Sequence, residues 1–418
     1  MPLSFARSEK LDESARYLAL GMGISVALHI PPLVSITSGF LVLCWIFALT
    51  NPDNFSKKWK IISRNPVAVT ALAFWVVIGL GMLHGEQSWG DALAVWAKYR
   101  KLFLIAILIT LMQDSKWRRW CEFGFIGTML MMVAARYWHA CVWWWADSSN
   151  LGFYAPENEW GHITHNIFIS FTIYWLIQEV KYCSNSRDYW ILLATIALSV
   201  GDVLFLTPGR SGWVVFSAMS MLIFYQQFKW KGIIYSVLFI LLTGTFAFQF
   251  SLAFSTRFLN VLENIEKYNT GDTDTSQGQR IEFYRHSLEI ISEHPVLGTG
   301  TGSFSKEYKK HIKEWEHPSV NPHNDYFVIG TQLGLVGLSV FLYMLLQQWR
   351  ISASLPDRRE SAIAKGVILT LASGSLFNSL LFDFHEGHFY AYFIGVLYAS
   401  FWQATPQNRC SKTCPTPP

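Results

Sequence analysis

Long apolar runs separated by short polar segments are the feature that most restricts what this chain of 418 residues can form. A soluble domain usually has about 25% charged residues, whereas this chain has 15% charged and 51% apolar residues. So much apolar surface cannot be buried in one water-soluble core, and about 20 apolar residues suffice to cross a bilayer. The composition therefore predicts an all-α integral membrane protein and excludes a soluble enzyme or a disordered scaffold.

The apolar runs predict about twelve membrane-spanning helices, so both termini are expected on the same side of the membrane. The predicted spans are 14–30, 33–50, 66–84, 101–113, 120–142, 162–180, 189–206, 212–228, 232–252, 324–347, 361–382 and 387–404. The fourth run is short, and we expect its helix to extend backward through the amphipathic segment Asp91–Lys101.

The distribution of basic residues orients these spans, because cytoplasmic loops carry an excess of Lys and Arg. With both termini in the cytoplasm, most of the 33 basic residues fall in cytoplasmic segments, whereas the short outward loops Pro31–Ser35 and Asp383–His388 have none. The long polar segment of about residues 254–322 then faces outward. We expect the whole chain, 1–418, to form a single multi-pass membrane domain with this one long loop.

The outward loop is expected to contain two amphipathic helices joined by a glycine-rich turn. The polar segment Lys267–Arg280 is predicted to be mobile. Apolar residues at helical spacing then predict a first helix that stops before Pro295, and a second stripe follows the turn Gly298–Gly302. The two stripes are Ile281, Tyr284, Leu288 and Ile291, and Phe304, Tyr308, Ile312 and Trp315. Both helices are predicted to lie on the membrane surface.

Arg210 stands in the predicted turn between spans seven and eight, at the outer surface of the bilayer. A helix N-terminus attracts anions, and a guanidinium group adds a bidentate donor for phosphate. The flanking residues Gly209 and Gly212 are expected to leave room for a ligand. The alternative is a membrane anchor whose charge reaches lipid phosphate.

Two further arginines stand at the end of the polar segment. Arg280 is expected to open the first amphipathic helix, where its charge opposes the positive end of the helix dipole, so a role in ligand binding is favoured. Arg285 lies one turn later and can pair with Glu282 or Glu289. It is expected to be mainly structural and is a secondary candidate for contact with the ligand.

His323 lies where the long loop re-enters the membrane, in the sequence Asn321-Pro-His-Asn-Asp325. A histidine can take up a proton near neutral pH, and either Asn324 or Asp325 could orient its ring. Asn324 is also a candidate for binding substrate. The alternative is that His323 is a polar cap at the membrane interface.

Weaker candidates surround these positions. Lys98 and Arg100, at the outer end of span four, could add positive potential or anchor the helix to lipid. The patterns Glu159-x-x-His-x-x-His165 and His385-Glu-Gly-His388 have spacings near those of metal sites, but neither fits one well, so no metal is predicted. The formal charge of +4 does not point to nucleic acid.

The motif order resembles the O-antigen ligase and polymerase superfamily of bacterial envelopes. His323-Asn324, nine residues and then Gly334-Leu-Val-Gly337 is similar to the signature of that superfamily. The stretch Arg280-Ile-Glu-Phe-Tyr-Arg285, followed by His294-Pro-Val-Leu-Gly-Thr-Gly300, is similar to the segment that precedes it. About twelve spans with one long periplasmic loop late in the chain agree with this resemblance.

The resemblance implies a membrane-embedded, inverting glycosyltransferase with a GT-C-like architecture and no metal or other cofactor. Its donor would be a glycan on undecaprenyl diphosphate, and the acceptor of an O-antigen ligase would be a sugar of lipid A-core. His323, Arg280 and Arg210 would be the catalytic residues, and the paired glycines Gly334 and Gly337 would let span ten pack closely on a neighbour. The enzyme would lie in the inner membrane of a Gram-negative bacterium, with its active site facing the periplasm.

Three alternatives to a ligase remain open. An O-antigen polymerase would use a lipid-linked chain as acceptor but usually has two large periplasmic loops, and a protein O-oligosaccharyltransferase is usually longer. A lipid-linked polysaccharide transporter belongs to another class of protein. Two observations argue against a transporter. The chain has no duplicated halves, and Asp202 is the clearest acidic residue within a span, whereas a proton-coupled carrier usually needs more than one. The oligomeric state does not follow from the sequence.

Overall fold

The computed structural model describes residues 2–146, 161–207, 209–312 and 317–401, and these ranges contain seventeen α-helices and no strand. Gly81–Leu83 adds a turn of 3₁₀-helix and Asp202–Leu206 a turn of π-helix. The α-helices are α1 (Pro2–Ala27), α2 (Pro31–Ala48), α3 (Pro52–Arg64), α4 (Pro66–Leu80), α5 (Trp89–Lys98), α6 (Lys101–Leu111), α7 (Ser115–Ala146), α8 (His162–Val180), α9 (Ser186–Gly201), α10 (Arg210–Phe228), α11 (Trp230–Phe250), α12 (Leu252–Asn269), α13 (Ser276–Glu293), α14 (Phe304–His311), α15 (Asp325–Ser352), α16 (Arg358–Gly374) and α17 (Phe384–Tyr398).

Each of the twelve predicted spans overlaps one of these helices. Within the described ranges, six stretches are long and apolar enough to cross a membrane: Pro31–Ala48, Pro66–Leu83, Ser115–Val142, Ser186–Leu206, Trp230–Phe250 and Asp325–Ser352. The prediction of an all-helical membrane protein is thus confirmed for the described part of the chain. The number of twelve spans stays a prediction.

Local signals explain where several helices begin. Asn65 precedes Pro66 and accepts hydrogen bonds from two amides of the first turn of α4, so side chain and proline together fix its start. The expected backward extension of the fourth span is wrong, because a turn at Tyr99–Arg100 separates α5 from α6. This turn lets α5 lie apart as a short amphipathic helix while α6 enters the core.

The centre of the molecule is formed by α6, α8 and α17, in which most side chains are buried. Helix α17 packs on α6, and α8 packs on α10 and α16. The ring of Phe389 contacts Phe168 at 4.8 Å and Phe171 at 5.0 Å between centroids, which joins α17 to α8. These apolar contacts place the starts of α8, α10 and α17 and the loop before α15 around one end of the bundle.

The opposite end of the bundle contains a buried group of ion pairs, which we call the ion-pair end. It is formed by Arg118, Arg119, Glu122, Glu179, Arg359 and Glu360. Arg359 donates to both oxygens of Glu122 at 2.6 and 2.9 Å. Every arginine in this group contacts a carboxylate. The group joins the starts of α7 and α16 to the end of α8, three helix ends predicted to be cytoplasmic.

The long loop has more helix than predicted. Helix α12 was not predicted, and α13 begins at Ser276, capped by Thr275, so much of the segment expected to be mobile is helical. The prediction that both amphipathic helices lie on the membrane surface stays a prediction, and the structure adds that the two helices pack on each other. Phe283 and Ile290 of α13 pack against Phe304 and Tyr308 of α14, and all four are at most 8% exposed. Trp315 lies outside the described residues.

The glycine-rich turn joins α13 to α14, as predicted, and also completes a break in α15. At Gly334 the backbone has φ +58° and ψ −158°, which a residue with a Cβ adopts only with strain. Four backbone hydrogen bonds join the segment 295–300 to the residues on either side of this break. After the break, Leu335 N donates to Pro295 O at 2.8 Å and Val336 N to Val296 O at 3.1 Å. Before it, Thr331 O accepts from Thr299 N at 2.9 Å and Gln332 O from Gly300 N at 2.8 Å. The close packing at Gly334 is therefore with the outward loop rather than with a neighbouring span.

Candidate active site

His323 lies half-buried in the loop that leads into α15. Its backbone has φ +54°, a conformation that non-glycine residues rarely adopt and that often marks a functional position. The side-chain oxygen of Asn321 accepts a hydrogen bond from the His323 amide at 2.9 Å and another from the Ser379 hydroxyl at 2.6 Å. The ring of Phe283 lies 6.2 Å from the imidazole. The surrounding structure therefore fixes this unusual conformation.

The expected orienting partners of His323 have other contacts. Asp325 accepts hydrogen bonds from the Ser375 hydroxyl at 2.6 Å and the Leu381 amide at 2.8 Å, so the prediction that it could orient His323 is wrong. Asn324 caps α15 with its side-chain oxygen and donates its amide to Leu376 O at 2.9 Å. These contacts explain Asn324 without a ligand. Sequence reasoning missed Asn378, a buried residue whose side chain raises the pKa of His323 against the larger effects of burial and Arg280.

Arg280 lies on the second turn of α13, four residues after the helix begins, so the expectation that it opens the helix is wrong. Its side chain is largely buried, and burial lowers the pKa of this guanidinium group, whose charge in turn acts on His323 and Tyr284. Within the described ranges no carboxylate pairs with Arg280. A partly buried cation without a counter-ion is costly, so this group is suited to bind an anionic ligand.

Arg210 is the first residue of α10, and its Nη2 atom lies 3.5 Å from the hydroxyl of Ser276 at the start of α13. Burial and the charges of Arg280 and Arg257 lower its pKa, and no carboxylate of the described ranges pairs with it. Arg257, on α12, is a third guanidinium group near the site that sequence reasoning missed. These positive charges therefore lie close together. Their mutual repulsion costs free energy that a bound anion would offset.

The turn before Arg210 is held by α8. The amide of Asn166 donates to Thr207 O and to Gly209 O, both at 3.0 Å. A Cβ on Gly212 would lie 2.4 Å from the side chain of Asn166, and one on Gly209 would lie 2.9 Å from it. The expectation that these glycines leave room for a ligand is thus wrong, because Asn166 fills that space. The glycines instead allow close packing that fixes the position of Arg210.

The structure brings Arg210, Arg280 and His323 to one end of the bundle, and we call these three residues the arginine–histidine site. Burial and the charge of Arg280 lower the pKa of His323, which favours the neutral form of its imidazole. A neutral imidazole can accept a proton while the guanidinium groups bind an anion. The site therefore has the groups for a proton transfer coupled to the departure of an anionic group.

The other predicted ligands lie in different surroundings. Arg285 pairs with Glu282, one of the two partners expected for it. Lys98 lies over the ring of Phe382 at 4.0 Å, and Arg100 donates to Ala97 O at 3.0 Å. Sequence reasoning also missed Lys101, which is buried and bonds the backbone carbonyl of Phe382.

The histidine patterns do not converge on a metal site in the described residues. His165 pairs with Asp202 at 2.6 Å, and the Asp202 carboxylate also accepts from Thr207 at 3.0 Å. Glu386 accepts a hydrogen bond from Thr164, while His388 contacts the carbonyl of Phe384. Glu159 lies outside the described residues. Asp202 thus helps hold the turn that carries Arg210.

The fold and the site define an all-helical membrane protein with a cationic centre beside a histidine. Residues 193–342 match the sequence model of a family described as O-antigen ligase, and this segment contains Arg210, Arg280, Arg285, His323 and Asn324. This match supports membership of the O-antigen ligase and polymerase superfamily for the segment that carries the site, as the motif resemblance predicted.

A relative from Haemophilus influenzae, described as an uncharacterized protein, is 23% identical over 211 residues. The alignment covers 47% of this chain and 52% of the relative, so the chain spans about half the length of the curated relative that it matches. This similarity extends the comparison beyond the motifs without adding an activity.

Proposed function

We propose that this protein is an O-antigen ligase that transfers a polysaccharide from undecaprenyl diphosphate to a sugar hydroxyl of lipid A-core. The observation that carries the proposal is a pair of partly buried guanidinium groups, Arg210 and Arg280, that have no carboxylate partner in the described ranges. Arg280 acts both on Arg210 and on His323. A lipid diphosphate supplies the missing negative charge. It also activates the donor, since no nucleotide is available outside the inner membrane.

His323 acts as the general base. Its neutral imidazole takes the proton from the acceptor hydroxyl as that oxygen attacks the anomeric carbon of the donor from the face opposite the diphosphate. The new glycosidic bond forms as the bond to the diphosphate oxygen breaks, which inverts the anomeric configuration. A general base of this kind contributes about 10²–10⁴-fold to the rate.

Arg210 and Arg280 bind the diphosphate as negative charge develops on it. Because both groups are held in place before the reaction, they stabilise the leaving group without the cost of reorganisation. One such donor is worth about 3–4 kcal/mol of the activation barrier, or two to three powers of ten in rate. Arg285, Lys98 and Arg100 add positive potential around the head group, and Asn324 supports the loop next to it.

The location of the reaction follows from the predicted topology. With both termini in the cytoplasm, the arginine–histidine site faces the periplasm at the outer surface of the inner membrane. A lipid-linked donor and a lipid-anchored acceptor both present their polar groups there, and the surrounding membrane lipids contact the apolar surface of the bundle. In this proposal the protein needs neither a metal nor another cofactor.

A transfer assay in detergent tests the proposal against its alternatives. Purified protein is mixed with undecaprenyl diphosphate-linked glycan and lipid A-core, in the presence of a chelator and without nucleotide. Glycan on lipid A-core is the expected product. Longer lipid-linked chains would select the polymerase, and glycan on protein would select the oligosaccharyltransferase. No product, together with movement of the donor across a vesicle membrane, would select the transporter.

A further inference from the structure

Helix α12 begins where the apolar helix α11 ends. Helix α11 has 21 residues, a length of about 32 Å at 1.5 Å per residue, which is close to the thickness of the hydrocarbon core of a bilayer. Ser251 follows with an extended backbone, and its hydroxyl caps α12 by accepting a hydrogen bond from the amide of Phe254 at 3.2 Å. A bilayer crossed by α11 therefore has one of its surfaces at the start of α12.

The side chains of α12 form three faces along the helix. The first face packs on the protein, and its residues are half-buried and recur every three or four positions: Phe254, Arg257, Val261, Asn264 and Tyr268. The second, which we call the apolar face of α12, is 41–53% exposed and consists of Phe258, Leu259, Leu262 and Ile265. On the third face, Glu263 and Lys267 form an exposed ion pair at 2.7 Å. These three faces suit a helix that borders protein, lipid and water on different sides.

The face that packs on the protein joins α12 to the helix that carries Arg280. The amide of Asn264 donates to the side-chain oxygen of Gln277 at 3.0 Å, on the first turn of α13. The hydroxyl of Tyr268 donates to the carboxylate of Glu282 at 2.7 Å, on the next turn. Arg280 lies between these two contacts along the chain, so the position of α12 fixes that of the segment around it.

The apolar face of α12 continues the exposed surface of α11. Of the six stretches in the described ranges that could cross a membrane, α11 is the least buried. The ring of Phe248 near its end is 40% exposed and lies 5.8 Å from the ring of Phe258, which is 47% exposed. Helices α13 and α14 cover apolar residues against each other, whereas the described part of the chain leaves the apolar face of α12 uncovered. The surface that α11 presents to lipid therefore extends onto α12.

We propose that α12 is an interfacial helix whose apolar face binds the acyl chains of the lipids in the leaflet at which α11 ends. The ion pair of Glu263 and Lys267 then faces water. The apolar side of such a helix lies about 5–10 Å into the boundary between head groups and acyl chains. Through its bonds to α13, α12 keeps Arg280 close to the level of the lipid phosphates. The contact with lipid does not depend on the proposed transfer reaction.

Spin labels on single cysteines test this placement. The full chain, with its six cysteines replaced by serine, is placed in phospholipid vesicles, and the label is attached to Leu262→Cys or to the matched control Glu263→Cys. We expect the label at position 262 to collide more often with oxygen, which concentrates among acyl chains, than with a water-soluble nickel chelate, at a depth of about 5–10 Å. The label at position 263 should show the opposite preference. A preference for the nickel chelate at both positions would overturn the proposal.

A second copy of the chain is the alternative occupant of the apolar face. It would shield the label at position 262 from both reagents and broaden its spectrum through the label of the neighbouring copy, and this result would also overturn the proposal.

A measurement on the unsubstituted protein decides the question if the cysteine variants fail to fold. A phospholipid with a photoreactive group in its acyl chain should label α11 and the peptide that contains Leu259 and Leu262. It should not label Phe304 of α14, which α13 covers. Labelling of α11 without labelling of α12 would contradict the assigned position of the helix.

Discussion

The two ends of the helical bundle both carry arginines that are buried or partly buried, and the two ends differ in what neutralises these charges. At the ion-pair end, Arg359 is bonded to Glu122 and Glu179, and Arg118 to Glu360, with side chains at most 14% exposed. At the arginine–histidine site, Arg210 and Arg280 have no carboxylate partner in the described ranges. At the ion-pair end, the carboxylates of the protein itself neutralise the arginines, and the ion pairs join the helix ends there.

The difference separates arginines that hold the fold from arginines that hold a ligand. A buried cation loses its hydration, and an excellent ion pair within the protein can restore that loss. Where no such ion pair exists, the cation lowers the stability of the folded protein. A bound anion can then supply the missing favourable interaction. Substitutions at the two ends should therefore have opposite effects on activity and on stability.

The largest expected effect on activity is that of His323→Ala. Loss of the general base should lower the rate of glycan transfer about 10²–10⁴-fold, while the protein still inserts into the membrane. The rate is measured in the detergent assay and in a complementation test that shows glycan ladders on gels. His317→Ala is the control, since His317 is exposed on the same loop and pairs with Asp274. Normal ladders with His323→Ala would contradict the assigned role.

Arg280→Ala should come next, with a loss of about 10²–10³-fold, because one preorganised donor to the leaving group is removed. Arg210→Ala should act in the same direction. Arg280→Lys should fall between alanine and wild type, since an ammonium group keeps the charge without the bidentate geometry. Arg350→Ala removes an exposed positive charge elsewhere and should retain the wild-type rate. Equal rates for Arg280→Ala and Arg350→Ala would contradict the assigned role of Arg280 at the leaving group.

At the ion-pair end, Arg359→Ala should lower stability rather than the rate. It removes the closest cationic partner of the buried Glu122 carboxylate, and the loss of such a partner costs about 3–5 kcal/mol. The midpoint of thermal unfolding in detergent should fall, while kcat per folded molecule stays within about twofold of the wild type. A large fall in kcat at an unchanged midpoint would show that this end also takes part in the reaction.

The smallest expected effect is that of the outlying cations. Lys98 contacts a ring and Arg100 a backbone carbonyl, and neither contacts a residue of the arginine–histidine site. Lys98→Ala and Arg100→Ala should lower kcat/KM about two- to threefold at low salt, and less at high salt, because distant charges are screened. A 100-fold loss of kcat/KM in either variant would show that the site also includes residues near the start of α6.

The sequence predicted the helices well because apolar runs are long and continuous. It predicted α13 and its end before Pro295 from apolar residues at helical spacing, but it missed α12, in which apolar and polar residues are mixed. Arg210, Arg280 and His323 were predicted as site residues because arginine binds phosphate and histidine takes up a proton near neutral pH. Asn166 and Asn378 were not found, since a single amide in an apolar run has no pattern of its own.

Two further errors have a common cause. Gly209 and Gly212 were expected to leave space, and Gly334 was expected to contact a span, because sequence alone does not show which distant segment fills the room beside a glycine. In the fold, the side chain of Asn166 fills the space beside Gly209 and Gly212, and the segment 295–300 fills the space beside Gly334. Such partners lie tens of residues away along the chain and become visible only when the helices are packed.

The most direct test is the binding of undecaprenyl diphosphate to the purified protein, measured for the wild type, for Arg210→Ala, for Arg280→Ala and for Arg350→Ala. If the cations without carboxylate partners bind the diphosphate, both site variants should lose at least tenfold in affinity, about 1.4 kcal/mol, and Arg350→Ala should bind like the wild type. Equal affinity in all four proteins would contradict the account.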